Sequence, residues 1–238
     1  MINVVCLKWG DKYGAEYVNH LYAGVRRNTQ RDFRFWCFTE DAQGICPEIT
    51  VLDLPMQYGL HTWWNKIWLF APNNGLPLDQ HILYIDLDTL IVSNIDDIMQ
   101  VDQVPDIVLL RDFYQGIART AGDIGSGIMS WRQGQYTDIW HEFIQDPEAA
   151  IGSVHPHGDQ AWIARHVRSW YYWQDLFPDR VVSFKVHCAQ GLPPTAGVVC
   201  YHGRPTIPES ATMATDHSTS SRKWHVLAAP WVLDHWRD

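Results

Sequence analysis

Apolar positions recur along this chain on two periods, and the period changes mark its elements. Residues 2–7 form a short, largely apolar run rich in β-branched side chains, the pattern of a buried strand. Turn chemistry follows in Lys8-Trp9-Gly10-Asp11-Lys12-Tyr13-Gly14. Tyr17, Val18, Leu21, Tyr22 and Val25 then return at helical spacing, and Arg26, Arg27 and Asn28 close that helix. Residues 33–38 and 49–54 predict two more strands. Thr62 is placed to cap a short helix through Phe70, which Pro72 terminates. Residues 81–85 predict a fourth strand ending at Asp86.

The second half repeats the theme in shorter pieces. Residues 107–110, 128–131, 181–184 and 198–201 predict strands, and residues 136–144 and 160–167 predict helices. From Pro205 the pattern becomes irregular and Ser/Thr-rich, with one or two helical turns at residues 231–236. Strands alternating with helices predict an α/β layer architecture with a mostly parallel sheet. Such sheets bind ligands beyond the carboxyl ends of their strands, so Lys8, Trp9, Asp86, Asp88 and His202 become the residues to watch. The 238 residues can bury a sizeable core, and no linker or repeat divides them.

Composition narrows the ligand. A net charge of −9 argues against nucleic-acid backbones and anionic membranes as main partners. It also means that a diphosphate ligand needs local positive charge, which a bound cation supplies. Thirteen tryptophans suit either sugar stacking or a bulky core. Cys6, Cys37, Cys46, Cys188 and Cys200 are odd in number and match no zinc or C-x-x-C spacing, so reduced core thiols and a cytoplasmic setting are expected. The first residues lack the basic leader and long apolar stretch of a signal peptide, and no run of about 18 apolar residues predicts a membrane span.

The chemistry concentrates at Asp86-Leu87-Asp88, two carboxylates one residue apart at the mouth of an apolar strand. Carboxylates there are costly unless paired, solvated or bound to a cation. In extended backbone, positions i and i+2 share a face, so both reach one hard ion such as Mn²⁺ or Mg²⁺. A haloacid-dehalogenase phosphatase loop also places an acidic pair after a buried strand, but its D-x-D-x-T pattern puts the threonine one position later than Thr89. His155 and His157 have H-x-H spacing without further ligands nearby and read as a loop. Trp63 and Trp64 either stack on an acceptor or pack.

With that pair in place, residues 2 to about 208 resemble glycosyltransferase family 8 and neighbouring bacterial GT-A enzymes. Val4-Val5-Cys6-Leu7-Lys8-Trp9-Gly10 resembles the nucleotide-base site, and Trp64-Asn65-Lys66-Ile67-Trp68-Leu69-Phe70 the helix whose basic residue precedes the D-x-D. Gly125-Ser126-Gly127-Ile128-Met129 resembles the family's Asn-Ser-Gly segment, Asp159-Gln160 its sugar-site D-Q, and Tyr201-His202-Gly203-Arg204-Pro205 its late His-Gly segment. Gly125 departs from the family's Asn, with Asp123 nearby to take over, and Arg204 stands where a Lys is expected.

The resemblance implies one GT-A domain over residues 1–208, with 209–238 a tail packing on or extending it. It implies metal-dependent transfer of a hexose from a nucleotide sugar, a UDP-sugar, to a sugar or glycan acceptor with retention. Asp86, Asp88 and His202 would hold Mn²⁺ or Mg²⁺. Lys66 and Arg204 would offset phosphate charge, and Lys8, Trp9 and Tyr13 would border the base and ribose. Asp159, Gln160 and Asp123 would meet the donor sugar, Asp159 doubling as a helix cap. The alternative from another class is an inactive nucleotide-sugar-binding protein, motivated by Gly125.

Overall fold

A computed structural model describes residues 1–113, 124–218 and 223–238. Its main sheet holds seven strands: β1 (Ile2–Leu7), β2 (Phe33–Thr39), β3 (Thr50–Asp53), β4 (His81–Ile85), β6 (Val108–Arg111), β7 (Ile124–Arg132) and β8 (Tyr171–Tyr172). They lie in the order β3-β2-β1-β4-β7-β6-β8. All run the same way except β7, which is antiparallel to β4 and to β6. A second sheet joins β5 (Thr89–Ile91), β10 (Val198–Cys200) and β9 (Val181–Ser183), with β10 antiparallel to β5. A two-stranded ribbon joins β11 (Thr215–Ser218) and β12 (Lys223–Val226).

The central strands are buried on both faces, which is why their sequences read as largely apolar runs, with Asn3 in β1 and His81 at the start of β4 the polar exceptions. Their side chains alternate between two cores. Ile2, Val4 and Cys6 of β1, with Leu83 and Ile85 of β4, join the first core; Val5, Leu7, Ile82 and Tyr84 join the second. Helix α1 (Ala15–Arg27) covers the first face with Tyr17, Val18, Leu21 and Val25, its ends stabilised by Glu16 in the first turn and Arg26 and Arg27 in the last. Residues of the C-terminal stretch, Ile207, Ala211, Val226, Val232 and Trp236, complete the same core. The second face is covered by α2 (Asp138–Phe143), α3 (Pro147–Val154), α4 (Asp159–His166) and the helix Thr62–Phe70.

Three local expectations change. Thr62–Phe70 is a 3₁₀ helix, and Thr62, at φ 58°, is its first residue instead of its cap. The stretch after Pro205 is not irregular: Ile207–Thr212 is an α-helix started by a capping box between Thr206 and Glu209. The tryptophan surplus goes mostly into the core, where Trp64, Trp68, Trp131, Trp140, Trp162, Trp173 and Trp236 are buried.

Candidate active site

From β1 the chain moves outward to β2 and β3, then returns to place β4 on the other side of β1. That reversal opens a crevice at the carboxyl ends of β1 and β4. A cleft of about 520 Å³ lies there, within the range of small-molecule sites. Leu7 enters it at the end of β1, Trp9, Lys12 and Tyr13 just after, and Asp86, Leu87 and Asp88 after β4. Because β7 runs backwards, its first residues, Gly125, Ser126 and Gly127, reach the same edge, and Asp86 N–H donates to the Gly127 carbonyl at 2.8 Å. The loop before α4 adds His157 and Gly158, and α4 itself begins with Asp159 and Gln160 at the cleft.

The D-x-D occupies a turn between β4 and β5, not extended backbone. Its two carboxylates have separate partners. Lys66 Nζ donates to Asp86 Oδ2 at 2.7 Å, and Tyr84 Oη donates to Asp86 Oδ1 at 2.5 Å. Tyr13 Oη donates to Asp88 Oδ2 at 3.1 Å. Ser126 Oγ donates to Asp159 Oδ2 at 2.6 Å, and Lys66 Nζ is 3.9 Å from the same carboxylate. Asp159 is thus the first residue of α4 with its side chain turned inward; Gly158 holds the cap position.

Charge at this site is unevenly compensated. Burial lowers the Lys66 ammonium, but Asp86 and Asp159 outweigh it and hold the group above its ordinary value. Burial raises Asp159 more than Lys66 and Ser126 can offset. Burial, then the neighbouring Asp86 charge, pushes Asp88 up to about 6. The acid pair is therefore short of positive charge, and its oxygens suit a hard cation.

His202 reaches the same cleft, though by a different route from the one its sequence predicts. It follows β10, which is outside the main sheet and antiparallel to β5. Tyr201 N–H donates to the Asp88 carbonyl at 2.8 Å, so the residue after β10 meets the residues before β5. His202 Nε2 lies 2.7 Å from Ser183 Oγ. Among the described residues, no three His, Cys, Asp or Glu side chains converge as a metal cluster. The structure gathers Asp86, Asp88 and His202 around one cavity without closing them into one ligand set.

Two further expectations are corrected. Leu7 and Trp9 face the cleft, and Lys8, between them, is buried and does not line it. Arg204 points away: its side chain is 86% exposed and pairs with Glu209 at 3.3 Å. Gly203, at φ 79°, turns the chain there in a way that a side chain would resist. Cations that the sequence reading passed over stand closer. Lys12 lines the cleft and its charge acts on Asp88. Lys185 Nζ donates to the His202 carbonyl at 2.6 Å; burial lowers that ammonium and Asp88 partly restores it. Lys185 follows β9 almost directly, so the rule of inspecting strand ends could have found it. Asp123 lies outside the described residues.

No known family model and no curated protein matches this sequence at a significant level. Solved structures do match in shape. The galactosyltransferase LgtC, in complex with donor and acceptor sugar analogues, superposes with a TM-score of 0.62 at 14% identity, over 86% of this chain and 88% of its own. The glycosyltransferase GlyE of Streptococcus pneumoniae superposes with a TM-score of 0.60 at 13% identity, over 87% of this chain but 56% of its own. At these identities the likeness establishes a fold and leaves the chemistry to the residues of the cleft: the chain has the single-domain α/β fold of the GT-A glycosyltransferases.

Proposed function

We propose that the chain is a metal-dependent glycosyltransferase that moves a hexose from a UDP-sugar to a sugar or glycan acceptor, with retention of configuration. The observation that carries this reading is the acid pair Asp86 and Asp88, lodged at the strand-order reversal in a ligand-sized cleft and short of positive charge. The fold shared with LgtC supports the same two ligand classes here, a donor and an acceptor sugar. A phosphatase reading has less behind it, because its D-x-D-x-T pattern needs a threonine one position later than Thr89.

Each wall of the cleft has a role in this reading. Trp9 and Tyr13 border the base and ribose. Asp88, with Asp86 and His202, holds Mn²⁺ or Mg²⁺, which when bound supplies Lewis-acid neutralisation of the diphosphate leaving group. Lys66 fixes the Asp86 carboxylate, and Lys12 adds positive charge on the Asp88 side. Asp159 and Gln160 face the donor sugar beside Gly125–Gly127, to which Asp159 is bonded through Ser126. Five free cysteines suit a cytoplasmic setting, and among the described residues no helix is long and apolar enough to cross a membrane.

Incubation with a panel of UDP-sugars and Mn²⁺ is expected to release UDP slowly even without acceptor, and EDTA to stop it. Tight UDP binding that ignores EDTA in calorimetry overturns the metal assignment. UDP binding with silence across all donors favours an inactive nucleotide-sugar-binding protein, the reading that Gly125 in place of a polar side chain motivates. Arg204→Ala, by contrast, is expected to leave UDP affinity within about 2-fold and the melting temperature within about 1 °C, since it removes only an exposed ion pair. A larger loss of UDP affinity in that variant returns Arg204 to the diphosphate.

A further inference from the structure

We infer that Trp63 is the platform on which the acceptor stacks, and that the acceptor presents the apolar face of a pyranose ring. The inference rests on the glycosyltransferase reading and assigns the residue, and the face of the sugar, by which that reading's acceptor is held in the same cleft.

Trp63 and Trp64 are neighbours with opposite fates. Trp64 is buried and stacks on Phe143 with ring centres 5.5 Å apart. Trp63 lines the cleft and remains 50% exposed. In a 3₁₀ helix residues three apart eclipse one another, which brings Trp63 onto the face that carries Lys66. An indole left half in water forgoes burial that most aromatic side chains in this core obtain.

Its ring is nevertheless held. A Cβ placed on Gly158 would lie 3.0 Å from Trp63 Nε1, 3.5 Å from Cδ1 and 3.6 Å from Cε2. Those atoms belong to the five-membered ring, so the backbone at Gly158 packs directly on the indole. Only glycine permits this approach, and φ 74° at that position suits glycine as well. Gly158 precedes Asp159, which is bonded to Ser126 and lies near Lys66, itself bonded to Asp86. The indole is therefore fixed relative to the acid pair on the Asp86 side, whereas Tyr13 is tied to Asp88.

A flat apolar surface of this kind meets the C–H face of a sugar ring, and its surroundings meet the hydroxyls. Here the polar neighbour on that side is His157, which lines the same cleft just before Gly158, while Asp159 and Gln160 beyond it stay with the donor sugar. A lipid tail would gain little from that polar rim, since burying unpaired polar groups is costly. A pyranose satisfies both the platform and the rim.

The test uses a printed oligosaccharide array of glucosides, galactosides and N-acetylhexosaminides, probed with labelled protein in the presence of UDP and Mn²⁺. Wild type is expected to bind a subset of spots, Trp63→Ala to bind them about 10-fold more weakly, and Trp63→Phe to recover most of the difference. Trp63→Leu, which keeps apolar bulk without a flat ring, is expected to resemble the alanine variant. Equal binding by wild type and Trp63→Ala, or no binding to any spot by wild type, overturns the proposal. UDP release without acceptor tests the transferase reading separately, so the two can fail independently. Thermal melts of each variant identify any that fails to fold, and for a misfolded alanine variant the Phe and Leu pair gives the answer.

Discussion

Asp88→Asn is expected to lower UDP release on the order of 1000-fold while making the metal-free protein more stable. The first effect follows from the proposed role: the amide keeps the shape but removes the charge that holds a cation against the leaving group, and one misplaced electrostatic contact at a reacting centre costs this much. The second follows from packing. Asp88 is half-buried in the cleft beside Asp86, has a tyrosine hydroxyl as its hydrogen-bond partner, and is pushed up to about 6. Removing one of two like charges from such a place relieves on the order of 1 to 2 kcal/mol. Melting in EDTA should therefore rise by a few degrees for a chain of this size. Opposite signs for activity and stability mark a residue kept for chemistry at a cost to the fold. A variant that loses both together assigns Asp88 a structural role instead.

Strands that are buried on both faces were legible from sequence, because burial leaves a largely apolar run: residues 2–7 and 81–85 coincide with β1 and β4. Helix α1 was legible for the same kind of reason, through its single apolar stripe. Strand direction was not. Nothing in the pattern of residues 128–131 states that β7 runs against its neighbours, yet that reversal delivers Ser126 to the cleft. The three-residue strand β5 and the two-residue strand β8 are too short to show a period. For His202, inspection of strand ends led to a residue that does line the cleft, but by a different geometry, since β10 reaches the D-x-D through antiparallel pairing with β5. Arg204 shows the limit of spacing as a guide: two residues beyond His202, a glycine at φ 79° intervenes and the guanidinium ends in solvent against Glu209. Ser126 was visible in the Gly125-Ser126-Gly127 motif but acquired a role only when α4 brought Asp159 to it.

Lys66→Met is expected to be the most destabilising substitution in the cleft, by about 3 to 5 kcal/mol, the cost of removing one partner from a buried ion pair. Methionine fills much of the same volume, so lost packing contributes little. What remains is Asp86 and Asp159 on the two sides of the vacated position, both formerly held by one ammonium at 2.7 and 3.9 Å. For a domain of this length the melting temperature should fall by roughly 10 °C or more. The sign of the cause can be separated from the loss of a contact. If the damage is unpaired negative charge, Asp159→Asn in the Lys66→Met background should recover part of it, while Asp159→Asn alone should be neutral or mildly stabilising, since burial already raises that carboxyl more than Lys66 offsets. The double-mutant cycle thus predicts a coupling of at least about 1 kcal/mol, as expected for residues in one network. Additive effects would mean that Lys66 stabilises through its 2.7 Å pair with Asp86 and not through Asp159.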